Sequence, residues 1–338
     1  MAKIIVTLGP STKRKDDLMA MKKLGVYYVR ANMSHTSLPD LKDYISLAKE
    51  AGIPFLLDTE GPQVRTGRLI TRTVPLREND VVKLYKKDII GNEKSFSLRP
   101  KGVIDTFHEG DQLYFDGALL LRILDVTKKK NGYVVAVVTH SGRVGENKGL
   151  AIDSIYGNGY AKLPTLSEKD IKAIKIGLRE GVSIIAASFV RNGEDVRFVR
   201  EKTKGKMKII SKIECQDALN NLEDILNESD GIIIDRHDLC KEIPKERIFH
   251  TQKKIFDSAL KAEKEAFASS YMLESMVDNE KCTEHERYNV LATLRHGAAG
   301  LVLSAETTIG AHPLKTIETL VSIIKESKKI TPEYIFSE

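Results

Sequence analysis

The chain has no tryptophan, three cysteines and only 6% aromatic residues in 338. Cys215, Cys240 and Cys282 are odd in number and lack the paired spacing of a zinc site. They argue against a disulfide framework or a structural metal, and for a reducing compartment, the cytoplasm. No Lys/Arg run is interleaved with aromatics as a base-stacking surface requires, so nucleic acid is not an expected partner. No apolar run approaches the ~18 residues of a membrane span, and the apolar part of MAKIIVTLGP is too short for a signal peptide. Neither sign of charge dominates: 53 Lys and Arg face 47 Asp and Glu, a net +6 spread along the chain, which argues only weakly for anionic ligands. VTLGPST, after the first apolar run, holds one glycine, so the Gly-rich phosphate loop of a doubly wound dinucleotide-binding sheet is missing.

What is present is an alternation. KIIVTL at 3–8, VYYVRA at 26–31 and PFLLD at 54–58 read as buried parallel strands. The segments between them have helical spacing and end in Gly25 and Gly52, which suit helix C-caps. Over 61–160 the rhythm changes to DVVKLY, DQLYFDG, LLLRILDV and YVVAVVTH, strands without a long amphipathic helix between them. Helical rhythm resumes at LPTLSEKDIKAIKIGLREG, where Thr165 and Glu168 have capping-box spacing. Five further strand candidates follow: SIIAASF, KIISKIE, GIIID, EAFASS and GLVLSAE. The pattern predicts an α/β chain: a (β/α)8 TIM barrel over 1–60 and 161–338, with a β-barrel-like lid domain inserted after the third strand over 61–160.

Barrel enzymes carry their working groups at the carboxyl ends of the strands. VRANMSH ends the second strand with Arg30, Asn32 and Ser34; LLDTEGPQVRTG ends the third with Asp58, Thr59 and Arg65. Two arginines suit a phosphoryl group, and the Asn, Ser, Asp and Thr oxygens suit a cation. The plainer reading is that Arg30 pairs with Asp58, and His35 reads as structural. ISKIE places Lys212 and Glu214 two apart, on one face of an extended segment. Pointed into the mouth, the ammonium can neutralise a transferring phosphoryl and the carboxylate can hold a divalent ion; a buried salt bridge is the alternative. IIIDRHDLCKEIP adds Asp235, Asp238 and Glu242, and hard oxygen ligands without paired His or Cys favour magnesium or manganese over zinc. Ser270 in ASSYMLESM and Glu306 in LSAETTIG are weaker signals.

Ten segments in order closely resemble the pyruvate kinase family: VTLGPST, VRANMSH, LLDTEGPQVRTG, FDGALL, LPTLSEKD, AASFVRNGEDV, ISKIE, SDGIIIDRHDL, MLESM and LSAETTIGAHP. The likeness covers the first two of that family's three domains, so regulation through the third is not expected here. It implies a mobile β domain that closes over a nucleotide, and transfer of the phosphoryl of phosphoenolpyruvate to magnesium ADP. By matching position it places Arg30 and Lys212 on the phosphoryl group, Arg65 on phosphate, and Glu214 and Asp238 on magnesium or manganese. Asn32, Ser34, Asp58 and Thr59 match a monovalent-cation site for potassium, although Gln63 leaves potassium dependence open. Asp116 falls in the closing segment and Ser270 beside the protonation face, while Arg236, His237, Asp238 and Ser270 form the substrate-binding set. The implied partners are a phosphoenolpyruvate-like substrate and ADP or ATP, not a membrane, with a homo-oligomer left open.

The chain departs from the family at one motif. Where the family reads ARGDLG, this sequence reads DRHDLC, with Asp235, His237 and Cys240 replacing a small residue and two glycines. In the family that turn opens a short helix whose backbone N–H groups cradle the substrate carboxylate, where glycine permits close approach. Asp235 brings negative charge towards a site meant for an anion. A homologue acting on another phosphorylated or enolisable acid, or a non-catalytic binding descendant, is therefore the alternative expectation.

Overall fold

The computed structural model describes residues 2–115, 119–153 and 163–328. The chain divides into two compact units, Met1–Gly61 with Thr165–Glu338, and Pro62–Pro164. In the first, eight parallel strands close a barrel: β1 (Lys3–Thr7), β2 (Tyr28–Asn32), β3 (Phe55–Asp58), β4 (Ile184–Ala187), β5 (Lys208–Ile213), β6 (Gly231–Asp235), β7 (Glu265–Ser269) and β8 (Gly300–Leu303). These are the eight apolar runs of the sequence. They are continuous rather than alternating because one side of each strand packs against helices and the other fills the lumen. Ile5, Leu56, Ile210, Ile233, Phe267 and Val302 form the lumen core, separate from the larger core beneath the helices.

The helices between the strands are amphipathic and capped. Gly52 closes Leu38–Ala51 at φ +65, and Gly25 follows Lys15–Lys23 at φ +82; both are left-handed positions that glycine adopts without steric cost. The capping box of Glu168–Arg179 lies two residues beyond the expected Thr165/Glu168 pair. Ser167 Oγ accepts the Asp170 N–H at 3.1 Å, and Asp170 accepts the Ser167 N–H at 2.9 Å. Asp170 is fixed in that role because its carboxylate also accepts the N–H groups of Glu60 and Gly61, at 2.7 and 3.0 Å. Thr165 donates instead to Asp195.

In the second unit, seven strands close a smaller barrel, in the order Tyr133–His140, Val81–Tyr85, Ser95–Arg99, Val64–Thr66, Gly149–Asp153, Gln112–Phe115 and Leu120–Asp125. Its core includes Leu84, Phe96, Phe107 and Leu121. Thr73–Leu76 and Gly142–Gly145 form a separate antiparallel ribbon. Among the described residues no helix is long and apolar enough to cross a membrane.

Candidate active site at the barrel mouth

The register of the barrel brings charged strand ends together. β2 and β3 pair with Asn32 opposite Asp58, so Arg30 and Asp58 stand on neighbouring strands. On β5 the two-residue spacing turns Lys212 and the following Glu214 the same way. Lys212 Nζ lies 2.8 Å from Glu214 Oε1 and 3.7 Å from both Asp58 Oδ2 and Asp235 Oδ2. It also donates to Ser188 Oγ at 3.2 Å. Arg30 donates through Nε to Thr7 Oγ1 at 2.8 Å and through Nη2 to Ser304 Oγ at 3.1 Å, which leaves Nη1 3.2 Å from Asp58 Oδ2. Arg30, Asp58, Lys212, Glu214 and Asp235 are all buried. Asp238 is half-buried and accepts from Lys241 at 2.9 Å.

Packing these charges together shifts their protonation. Burial pushes the Glu214 carboxyl up to about 8; the Lys212 ammonium opposes this, while the Asp235 and Asp238 carboxylates add to it. Burial works against the charged form of Lys212, but Asp58, Glu214 and Asp235 outweigh it and hold the ammonium above its ordinary range. Burial raises Asp235 too, yet Lys212, the Ser270 hydroxyl and Arg30 reverse the direction and keep it below the usual carboxylate range. Glu214 Oε1 and Asp58 Oδ2 are buried with only the Lys212 and Arg30 cations against them. One oxygen each from Glu214, Asp235 and Asp238 lie within 4.8 Å of one another. An all-oxygen, anionic donor set fits a hard divalent cation such as magnesium or manganese.

The backbone around this cluster is strained. Phe189, Ser270 and Tyr271, just after β4 and β7, have φ of +52, +68 and +55, and residues with a Cβ in that region cost of order 1–3 kcal/mol each. The strain has visible work. The Phe189 conformation aims its N–H at Glu214 Oε2, 2.6 Å away. Ser270 Oγ donates to Asp235 Oδ1 at 2.7 Å. The Ser270 loop is held by Arg236, whose Nε reaches Ser270 O at 3.1 Å, Nη2 Tyr271 O at 3.2 Å and Nη1 Asn289 Oδ1 at 3.0 Å.

A sequence profile of the pyruvate kinase barrel domain matches residues 1–317. The chain belongs to the pyruvate kinase family. It is 34% identical over 341 residues to a pyruvate kinase of Dictyostelium discoideum, covering 97% of this chain and 66% of that one. It is 32% identical over 341 residues to that of Thermotoga maritima, covering 97% and 71%. Against the pyruvate kinase of Sporosarcina psychrophila it is 33% identical over 330 residues, covering 94% of this chain and 55% of the relative. A crystal structure of a pyruvate kinase from Cryptosporidium parvum matches 99% of this chain and 70% of its own, with a TM-score of 0.85 at 28% identity. The chain thus spans roughly half to seven tenths of these pyruvate kinases.

Of the residues singled out from the sequence, Arg30, Asp58, Lys212, Glu214 and Asp235 meet in one buried cluster, with Asp238 and Ser270 at its edge. The expected Arg30–Asp58 pair is present within it. Arg236, expected in the substrate-binding set, is buried with its guanidinium engaged on the loop after β7 and on Asn289. Glu242 stands outside the carboxylate group and accepts the Gln216 N–H at 2.7 Å. His237 is exposed, with its ring edge-on to Tyr271 at 6.1 Å. Asn32 Oδ1 accepts the Ser34 N–H at 2.9 Å, and Thr59 Oγ1 accepts the Ser188 N–H at 2.9 Å. Glu306 is buried against the N–H groups of Ser304 and Leu273, and burial raises its carboxyl. Arg65 lies in the second unit and donates to Asn147 O at 3.0 Å. Asp116 falls outside the described residues. The sequence reading passed over Thr7, Ser188, Ser304 and the Phe189 N–H. All four sit at the ends of barrel strands, so weighing uncharged strand-end residues equally would have found the hydroxyls.

Proposed function

We propose that the chain catalyses a pyruvate kinase-like phosphoryl transfer from phosphoenolpyruvate to ADP, yielding pyruvate and ATP, in the cytoplasm. The observation that carries this reading is the buried contact of Lys212 with Glu214 at 2.8 Å, in the same mouth as Arg30. Phosphoryl transfer needs charge neutralisation more than a covalent nucleophile, and the two buried cations of this cluster supply it. Arg30, braced by Thr7 and Ser304, presents a planar fork suited to phosphoryl oxygens. Lys212 supplies a second cation whose proton is held firmly by three carboxylates. Glu214 and Asp238 would hold magnesium, which when bound offsets charge on the transferring group. Ser270 would offer its hydroxyl beside the face where the enolate takes its proton. Oxygens of Asn32, Ser34, Asp58 and Thr59 are the proposed potassium ligands.

A coupled pyruvate assay with magnesium and potassium tests the reading against a Lys212→Met variant. Wild-type activity no higher than the variant's would reject it. Asp235 supports a second reading, because its carboxylate stands 3.7 Å from Lys212 in a mouth that would receive the substrate's own carboxylate. On that reading the substrate is another phosphorylated or enolisable acid. Thermal-shift measurements with phosphorylated acids and magnesium separate the two: selective stabilisation by an acid other than phosphoenolpyruvate favours the second.

A further inference from the structure

Asp235 stands where the family carries a small residue, and the structure sets it among the metal-binding oxygens rather than beside them. Its Oδ1 is tied by the Ser270 hydroxyl at 2.7 Å, while Oδ2 lies 3.7 Å from Lys212 Nζ. Arg236, the next residue, holds the Ser270 carbonyl at 3.1 Å, so orientation is fixed from both sides. Asp235 adds a third carboxylate beside Glu214 and Asp238. Magnesium is ordinarily held by one or two carboxylates and completed by substrate phosphates and water. We propose that in this chain Asp235 is a third carboxylate ligand of the divalent ion, so that the ion is held before substrate arrives. One oxygen from each of the three carboxylates lies within 4.8 Å of the others, so the side chains can converge on a single ion.

The inference rests on reading the mouth as a divalent-metal site, and its test is built to fail separately from that reading. Manganese would be titrated into the full chain without substrate, with free Mn2+ followed by electron paramagnetic resonance. The third-ligand role requires Asp235→Ala to weaken Mn2+ binding at least about tenfold, since ligand charge sets affinity over decades. Asp235→Asn, which keeps an oxygen in place but not its charge, falls between. Thermal unfolding in EDTA shows whether each variant is folded, and the comparison of Mn2+ affinities is made among variants that are. If Glu214→Gln abolishes binding while Asp235→Ala binds as tightly as wild type or more tightly, the third-ligand role is overturned and the site stands. If neither substitution changes Mn2+ affinity, the ion is not held at the mouth, and the metal site falls together with the inference.

Discussion

Lys212→Met replaces the ammonium that touches Glu214 and stands 3.7 Å from Asp58 and Asp235 with an uncharged chain of similar length. Breaking a buried ion pair costs about 3–5 kcal/mol when the partner stays ionised. Glu214 gives the pocket an escape, because burial already pushes its carboxyl from 4.5 to about 8 and the loss of Lys212 raises it further. A carboxyl whose folded value exceeds its unfolded one binds more protons in the folded state between the two, so stability falls as pH rises through that window. The lysine, held above its ordinary range, contributes its stabilisation across the whole of neutral pH in the wild type. The gap between the two proteins should therefore widen as the wild-type Glu214 ionises at about pH 8 while the variant's stays protonated, by about 1.4 kcal/mol between about pH 7 and about pH 9. Thermal melts in EDTA read this directly. At about 2–4 °C per kcal/mol for a unit of this size, the Tm difference should grow by about 3–6 °C over that range. A gap that stays constant over that range, or a variant more stable than wild type at the alkaline end, would refute the reasoning.

Three other outcomes follow from the same geometry. Arg30→Lys keeps the charge but loses the fork that reaches Thr7 and Ser304 together, so kcat/KM in the coupled pyruvate assay should fall about 100-fold; parity with wild type would remove Arg30 from the phosphoryl site. Ser188→Ala strips a hydroxyl that donates to Thr59 O at 2.7 Å and accepts from Lys212, and urea unfolding should show a loss of about 1–3 kcal/mol, with no loss contradicting its bridging role. Magnesium at 100 times its Kd should stabilise the wild type by about 2.7 kcal/mol and leave Glu214→Gln unmoved; equal stabilisation of both would place the ion elsewhere.

The barrel was legible because parallel strands buried on both faces must be written as short apolar runs, and all eight runs became strands. In the second unit the longer strands, Val81–Tyr85 and Tyr133–His140 among them, announced themselves by alternation. Val64–Thr66 has only three residues and Thr73–Leu76 contains Pro75, so neither carries enough pattern to be read. At the site, charge was easier to see than conformation. Lys212 and Glu214 share a face by simple two-residue spacing, whereas the left-handed turn at Phe189 that aims an N–H at Glu214 follows from tertiary packing and leaves no mark in the sequence. Arg236 is a further case: what a long side chain meets depends on what lies behind the strand, here the carbonyls of the loop after β7, and no local pattern records that.

Both sheets close on themselves, and this bears on how the protein resists aggregation. A closed sheet offers a foreign strand no row of unpaired amides on which to build. Among the described residues, open margins are confined to the short ribbon of Thr73–Leu76 and Gly142–Gly145. There Pro75, opposite Arg143, has no N–H to offer a newcomer, and the arginine adds charge to the same rung. A molecule with so little margin to extend is guarded against templated stacking while folded, so its exposure to that hazard lies mainly in the interval before either ring has shut.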